Sequence, residues 1–207
     1  MPSGTEERWR ALWDRVGAAG DPSPAYRDLV RRYSEGHRAY HTLDHIAHGL
    51  AEFEAVRGLA GTPDGVEWAL WYHDAVYDTH ASDNEERSAE LALRVASRAA
   101  LPADVATQAA RHILASKHRE PPADPDTQVF VDVDLAILGQ PWDRFSAYEG
   151  EIRREYRWVP SWLFRRKRRA LLKAFLARPF IYCTRHFRES YERRARENIA
   201  RSLGLAL

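Results

Sequence analysis

VFVDVDLAIL, residues 129–138, is the stretch on which the fold class turns. Val129, Val131 and Val133 alternate with Phe130, Asp132 and Asp134, and taken alone this valine-rich period of two reads as a strand. The rest of the chain reads as helix, because Arg, Ala, Glu and Leu are abundant and prolines mark the breaks. Helices are expected at 6–18, 24–33, 43–57, 65–77, 84–99, 103–117, 141–158, 162–177 and 185–203, with HREPPADPDTQ (118–128) as a proline-rich loop. A strand at 129–138 would make the chain mixed. A helix would make it all-α and would turn Asp134 into the bundle.

Composition bounds the remaining choices. A chain of 207 residues that is 44% hydrophobic, with no visible repeat, is expected to be one globular domain spanning 1–207. The single cysteine, Cys183, excludes an internal disulfide framework, and its place in PFIYC reads as a small buried side chain. No signal-like segment and no run of about 18 apolar residues is present, so a cytoplasmic protein without a membrane partner is expected. The net charge of +1 conceals an asymmetry. Residues 1–150 carry 15 Lys and Arg against 25 Asp and Glu, a net of −10, whereas 151–207 carry 16 against 5, a net of +11. The basic run FRRKRR (164–169), with Arg153, Arg154 and Arg157 near it, reads as a solvated face, a surface docked on the acidic body, or a phosphate-binding element.

Metal-ligand residue types are scattered through the acidic part. His41 and His45 are four apart, which on a helix stacks them one turn above each other. His73 falls on the apolar stripe Val66, Ala69, Leu70, His73, Val76 and Tyr77, with Asp74 beside it about 100° round a helix. Imidazole and carboxylate buried together are costly without a counter-charge, which a divalent ion supplies. A mixed nitrogen and oxygen donor set suits Mn²⁺, Fe²⁺, Co²⁺ or Zn²⁺ better than Mg²⁺.

These segments resemble those of the HD-domain metal-dependent phosphohydrolases. YHTLDH (40–45) is similar to the YHNxxH signature of cyclic-nucleotide phosphodiesterases, and HDAVYDT (73–79) to the HDxxEDT motif of (p)ppGpp hydrolases, with Tyr77 replacing the acidic residue. The segments YHxxxH, HDxVYD, DNEExSA, DxDLxILG and REY together resemble a group of small bacterial predicted HD phosphohydrolases along most of the chain. The resemblance implies an all-α helical bundle with additional C-terminal helices, a metal-binding core at about 38–140 and basic helices at about 141–207. It therefore places a helix at 129–138. It implies His45, His73, Asp74 and Asp134 as metal ligands, with Asp132 as the competitor for the last place, and His41 as the general acid.

Other residues carry two readings each. Ser82 and Glu85 fit a helix-capping box, while the resemblance, in which this stretch is a signature, offers Asn84 and Glu85 for ordering metal-bound water or the substrate, with Glu85 as a general base in competition with Asp74. His112 and His118 could hold a second metal, or His112 could simply favour a helix C-terminus. Lys117 and Arg153 are candidates for substrate phosphate. The expected function is hydrolysis of a nucleotide or other small phosphate ester through metal-activated water. A catalytically silent metal or nucleotide sensor, and a nucleic-acid-binding helical protein, are the alternatives, nucleic acid being the least expected partner.

Overall fold

A computed structural model describes residues 4–205; the outermost residues of the expected 1–207 unit lie outside the described residues. The described chain is ten α-helices: α1 (Thr5–Arg15), α2 (Ser23–Tyr33), α3 (Leu43–Val56), α4 (Pro63–Tyr72), α5 (Asn84–Arg98), α6 (Ala103–Ala115), α7 (Pro125–Asp134), α8 (Trp142–Glu155), α9 (Ser161–Leu176) and α10 (Arg185–Leu203). Two short 3-10 segments follow α3 and α7, and no strand occurs among the described residues. The fold is all-α, as expected.

The ambiguous stretch is helical. α7 starts inside the sequence read as loop, because Asp124 accepts the Thr127 N–H at 2.8 Å as its N-cap and Pro125 opens the first turn. Val129, Phe130, Val131, Asp132 and Val133 are all buried, so α7 is enclosed on every side and its valines carry no amphipathic period. A 3-10 segment, Leu135–Gly139, continues it. α10 crosses directly over Gly139, where a Cβ would lie 2.6 Å from the Tyr191 ring, so only glycine permits the approach. Asn198 of α10 donates to the carbonyls of Leu138 at 2.9 Å and Gln140 at 2.8 Å, fixing the same corner.

The core is one contiguous cluster with residues from all ten helices. Trp9, Trp68, Trp71 and Tyr72 interlock at its centre, with ring centroids 5.2–6.0 Å apart for the pairs that Trp9 makes with the other three. Beside it, buried Glu67 ties α1 and the turn after α3 to α4 by accepting from Arg8 at 3.0 Å, Arg15 at 2.6 Å and Arg57. The basic third docks partly through carbonyls, Arg194 donating to Gly139 and Arg178 to His118, while Arg196 ties its α9–α10 turn together by donating to Leu176, Arg178 and Pro179. No helix among the described residues is long and apolar enough to cross a membrane.

Candidate metal centre

The HD pair does not sit inside a helix. The sequence period extends to residue 77, but α4 ends at Tyr72 and His73 is its C-cap. The carbonyls that a continuing helix would use are taken by side chains. Tyr33 Oη donates to Trp71 at 2.9 Å, His73 Nδ1 lies 2.9 Å from the Leu70 oxygen, and Arg38 donates to Asp74 at 2.8 Å and Ala75 at 3.3 Å. Ser88 of α5 accepts the Val76 N–H at 3.0 Å, which turns the chain away.

His41 also lies off the helix that carries His45. Thr42 is the N-cap of α3 and accepts from the Asp44 N–H, so His41 belongs to the preceding turn and the four-residue helical spacing does not unite the pair. What positions His41 is Glu155, at the end of α8. Its Oε1 accepts the N–H groups of Ala39 and Tyr40 at 2.8 Å and of His41 at 3.0 Å, while Oε2 lies 2.7 Å from His41 Nδ1 and accepts from Tyr77 Oη at 2.8 Å. Burial pushes the Glu155 carboxyl up, but His41 and these backbone donors outweigh it and bring it down to about 2. Buried Arg38 reinforces the arrangement, because one Nη1 donates both to the His41 carbonyl at 3.0 Å and to that of Asp74.

His45, His73 and Asp74 form a cluster that could hold a metal ion, with donor atoms all within 4.8 Å of one another. His45 Nε2 and His73 Nε2 are 3.1 Å apart, and Asp74 Oδ2 lies 3.0 Å from His73 Nε2 and 3.5 Å from His45 Nε2. Asp134 brings Oδ1 to 3.5 Å from both imidazoles. Separations of this size are what donors about 2.1 Å from a common ion adopt. The tautomer of His73 fits as well: Nδ1–H donates to the Leu70 carbonyl and leaves the Nε2 lone pair facing its neighbours. His45 Nδ1 is buried with no hydrogen-bond partner among the described residues.

Electrostatics agree with the donor chemistry. Burial pushes Asp74 up, yet His73, His41 and bonds from His45 and His73 hold it well below the usual carboxylate range. Asp134 follows the same pattern, with burial opposed by His73, His118 and His45. Burial likewise disfavours charge on His73, but Asp74 and Asp134 raise it well above its ordinary value.

The two candidate aspartates point in different directions. Asp132 points to the start of α10, accepting the N–H groups of Cys183 and Thr184 at 2.7 Å each. Asp134, two residues on, faces the imidazoles. The two extra histidines separate too. His118 lies beyond α6 with φ 49°, a left-handed backbone uncommon outside glycine, and its Nε2 reaches Asp134 Oδ2 at 2.8 Å. His112 is buried behind Phe130 and bonded to Thr127 at 2.9 Å, outside the cluster.

Comparison with family models, curated proteins and solved structures returned no match.

A cavity of about 350 Å³ opens beside the cluster, lined by His41, Asp74, His118 and Asp134 and by the phenol rings of Tyr40, Tyr77, Tyr148 and Tyr156. Lys117 and Glu85 line it as well, Lys117 being ion-paired with Glu86 and lying 3.9 Å from Glu85. Glu85 thus stands at the cavity wall opposite a lysine. Ser82 makes no capping bond, and α5 begins at Asn84 after an uncapped Asp83. Asn84 instead closes the 78–84 loop, its Oδ1 accepting the Asp78 N–H at 3.0 Å and its Nδ2 donating to the Asp78 carbonyl at 2.9 Å.

Arg153 is not brought to the cavity. It clamps the α8–α9 turn through the carbonyls of Tyr156 at 2.7 Å and Val159 at 3.1 Å, and lies over the Phe164 ring. The arginine in the cavity wall is Arg168, held by Tyr148 Oη at 2.7 Å and by Glu149, with no partner for Nη1 among the described residues. The sequence offers Arg168 only as one member of the basic run 164–169, and it does not single out Glu155, which acts on residues distant in the chain. The REY segment that contains Glu155 was the available signal.

Proposed function

We propose that the chain is a metal-dependent phosphohydrolase of the HD type acting on a small phosphate ester, with His45, His73, Asp74 and Asp134 holding the ion. The observation that carries this reading is the pair of imidazole nitrogens 3.1 Å apart, flanked by the carboxylates of Asp74 and Asp134, which line a cavity that also contains the independently anchored His41. A divalent ion in such a donor set supplies Lewis acidity to a phosphoryl oxygen and lowers the pKa of water towards neutrality. The mixed donors favour Mn²⁺, Fe²⁺, Co²⁺ or Zn²⁺ over Mg²⁺.

The chain's own residues then divide the work. His41 keeps a proton on Nδ1 against Glu155 and presents Nε2, 3.9 Å from Asp74 Oδ2, as donor to the departing oxygen. Asp74, between His41 and the imidazoles, orients the attacking water. His118 holds Asp134 through its second oxygen. Arg168, with Nη1 uncommitted, and Lys117 face phosphoryl oxygens from the cavity wall.

Phosphate release from a panel of nucleotides and phosphate esters, with Mn²⁺ present or chelated, tests the reading. Turnover that requires the metal and disappears in Asp74→Ala, with helicity retained, supports it. Metal binding without turnover across the panel replaces it with the sensor reading.

A further inference from the structure

A second cavity, of about 440 Å³, adjoins the first, and the two share Ala81, Ile152, Tyr156, Arg168 and Leu171 as walls. Its other walls are chiefly apolar: Trp158, Val159, Pro160, Leu163 and Phe164. Two large hydrophobic side chains on it stay in contact with water, Trp158 at 50% exposure and Leu171 at 47%. Trp158 is nonetheless held rigidly, stacked on His80 with centroids 4.0 Å apart and donating Nε1 to Thr79 Oγ1 at 2.8 Å. Between the polar and the apolar half stands Arg168, a cation whose side chain is 12% exposed.

We infer that the two cavities form one amphiphilic cleft, whose metal end takes the phosphate and whose Trp158–Leu163–Leu171 groove takes an extended apolar organic group of the substrate. The inference rests on the phosphohydrolase reading and names its substrate class. Continuity with the metal cavity identifies the occupant, since a molecule whose anionic head lies at the cluster and Arg168 has its remainder directed along the groove. Polarity selects among phosphate esters. Apart from the Trp158 indole, the polar side chains on the walls of the second cavity are Thr79, Tyr156, Lys167 and Arg168; the Thr79 hydroxyl already accepts from Trp158, and the Tyr156 hydroxyl is bonded to Tyr77. The edges of a base and a ribose would find few partners on these walls, whereas an aliphatic or aromatic group needs none and covers the exposed Trp158 and Leu171.

The test uses the full chain loaded with Mn²⁺, n-alkyl phosphates from ethyl to decyl, and the matching n-alkyl phosphonates, which bind without being cleaved. Both kcat/KM for phosphate release and phosphonate affinity by calorimetry are expected to rise about two- to fourfold per methylene while the chain lies in the groove. Leu163→Glu is expected to flatten both series. If that variant fails to fold, Trp158→Ala, at an exposed side chain, supplies the same measurement with a smaller loss of slope. Phosphonate affinity independent of chain length, or nucleoside monophosphates turned over better than octyl phosphate, overturns the groove and leaves hydrolysis standing. Chain-length-dependent binding without any phosphate release supports the groove and overturns the hydrolase reading.

Discussion

Two places in this molecule concentrate buried charge, and they are built in opposite ways. Around Glu67 three arginines converge on one carboxylate, with Asp64 accepting from Arg15 and Arg57 as well. Every charge there has an opposite fixed charge, and the knot is complete without a ligand. Around His45 and His73 the nearest neighbours are like groups, two imidazoles 3.1 Å apart with two carboxylates beside them, at the edge of a cavity. That cluster lacks a permanent positive charge of its own. The difference separates a brace from a binding site more reliably than the density of charge does.

The largest effect expected from breaking the comparison is on the brace. Glu67→Ala removes the carboxylate shared by three arginines, which keep only Glu54 and Asp64, and should cost about 3 kcal/mol in a denaturant titration. Metal bound per folded molecule should stay unchanged. Next comes the site: Mn²⁺ at a hundredfold over its dissociation constant should stabilise the wild-type chain by about 2.7 kcal/mol, and Asp74→Ala should gain none of it. An equal gain in both proteins would mean that the ion binds elsewhere.

The neighbouring aspartates sharpen the contrast within one helix. Asp132→Ala strips two backbone N–H groups at the start of α10 and should cost about 2–3 kcal/mol while metal binding persists. Asp134→Ala should do the reverse, and calorimetric titration with Mn²⁺ on both variants reads the difference directly.

Glu155 supplies a pH signature. Its folded carboxyl is lowered to about 2, so its contribution is fully present above the unfolded value near 4.3 and is lost as pH falls through the folded one. Stability should therefore decline by about 2 kcal/mol between those limits, and Glu155→Gln should remove that decline while lowering kcat through a misplaced His41. The smallest effect belongs to Arg153. Arg153→Ala should cost about 1 kcal/mol by loosening the α8–α9 turn and leave KM for phosphate esters unaltered. A raised KM would return Arg153 to the substrate.

The helices and most of the cluster were legible in the chain because both rest on local signals. Periodicity and breakers located α3, α5 and α10 closely, and the residue types of the YHxxxH, HD and DxDL segments supplied His45, His73, Asp74 and Asp134. Alternation misled at Val129–Val133 because a helix enclosed on all sides has no polar face to mark its period. The Asp124-Pro125 start of α7 was a readable N-cap and first-turn proline inside a stretch dominated by its other prolines. The end of α4 was not legible at all, since it depends on Tyr33, Arg38 and Ser88 intercepting backbone groups from other segments. Glu155 escaped for the same reason, lying 114 residues from the His41 that it orients.

The most direct measurement is a crystal structure of the protein grown with Mn²⁺, with data collected at the manganese absorption edge. A single anomalous peak bonded to His45 Nε2, His73 Nε2 and the carboxylates of Asp74 and Asp134 is the predicted result. Absence of a peak between those side chains at saturating Mn²⁺ would contradict the assignment of this cluster as a metal centre.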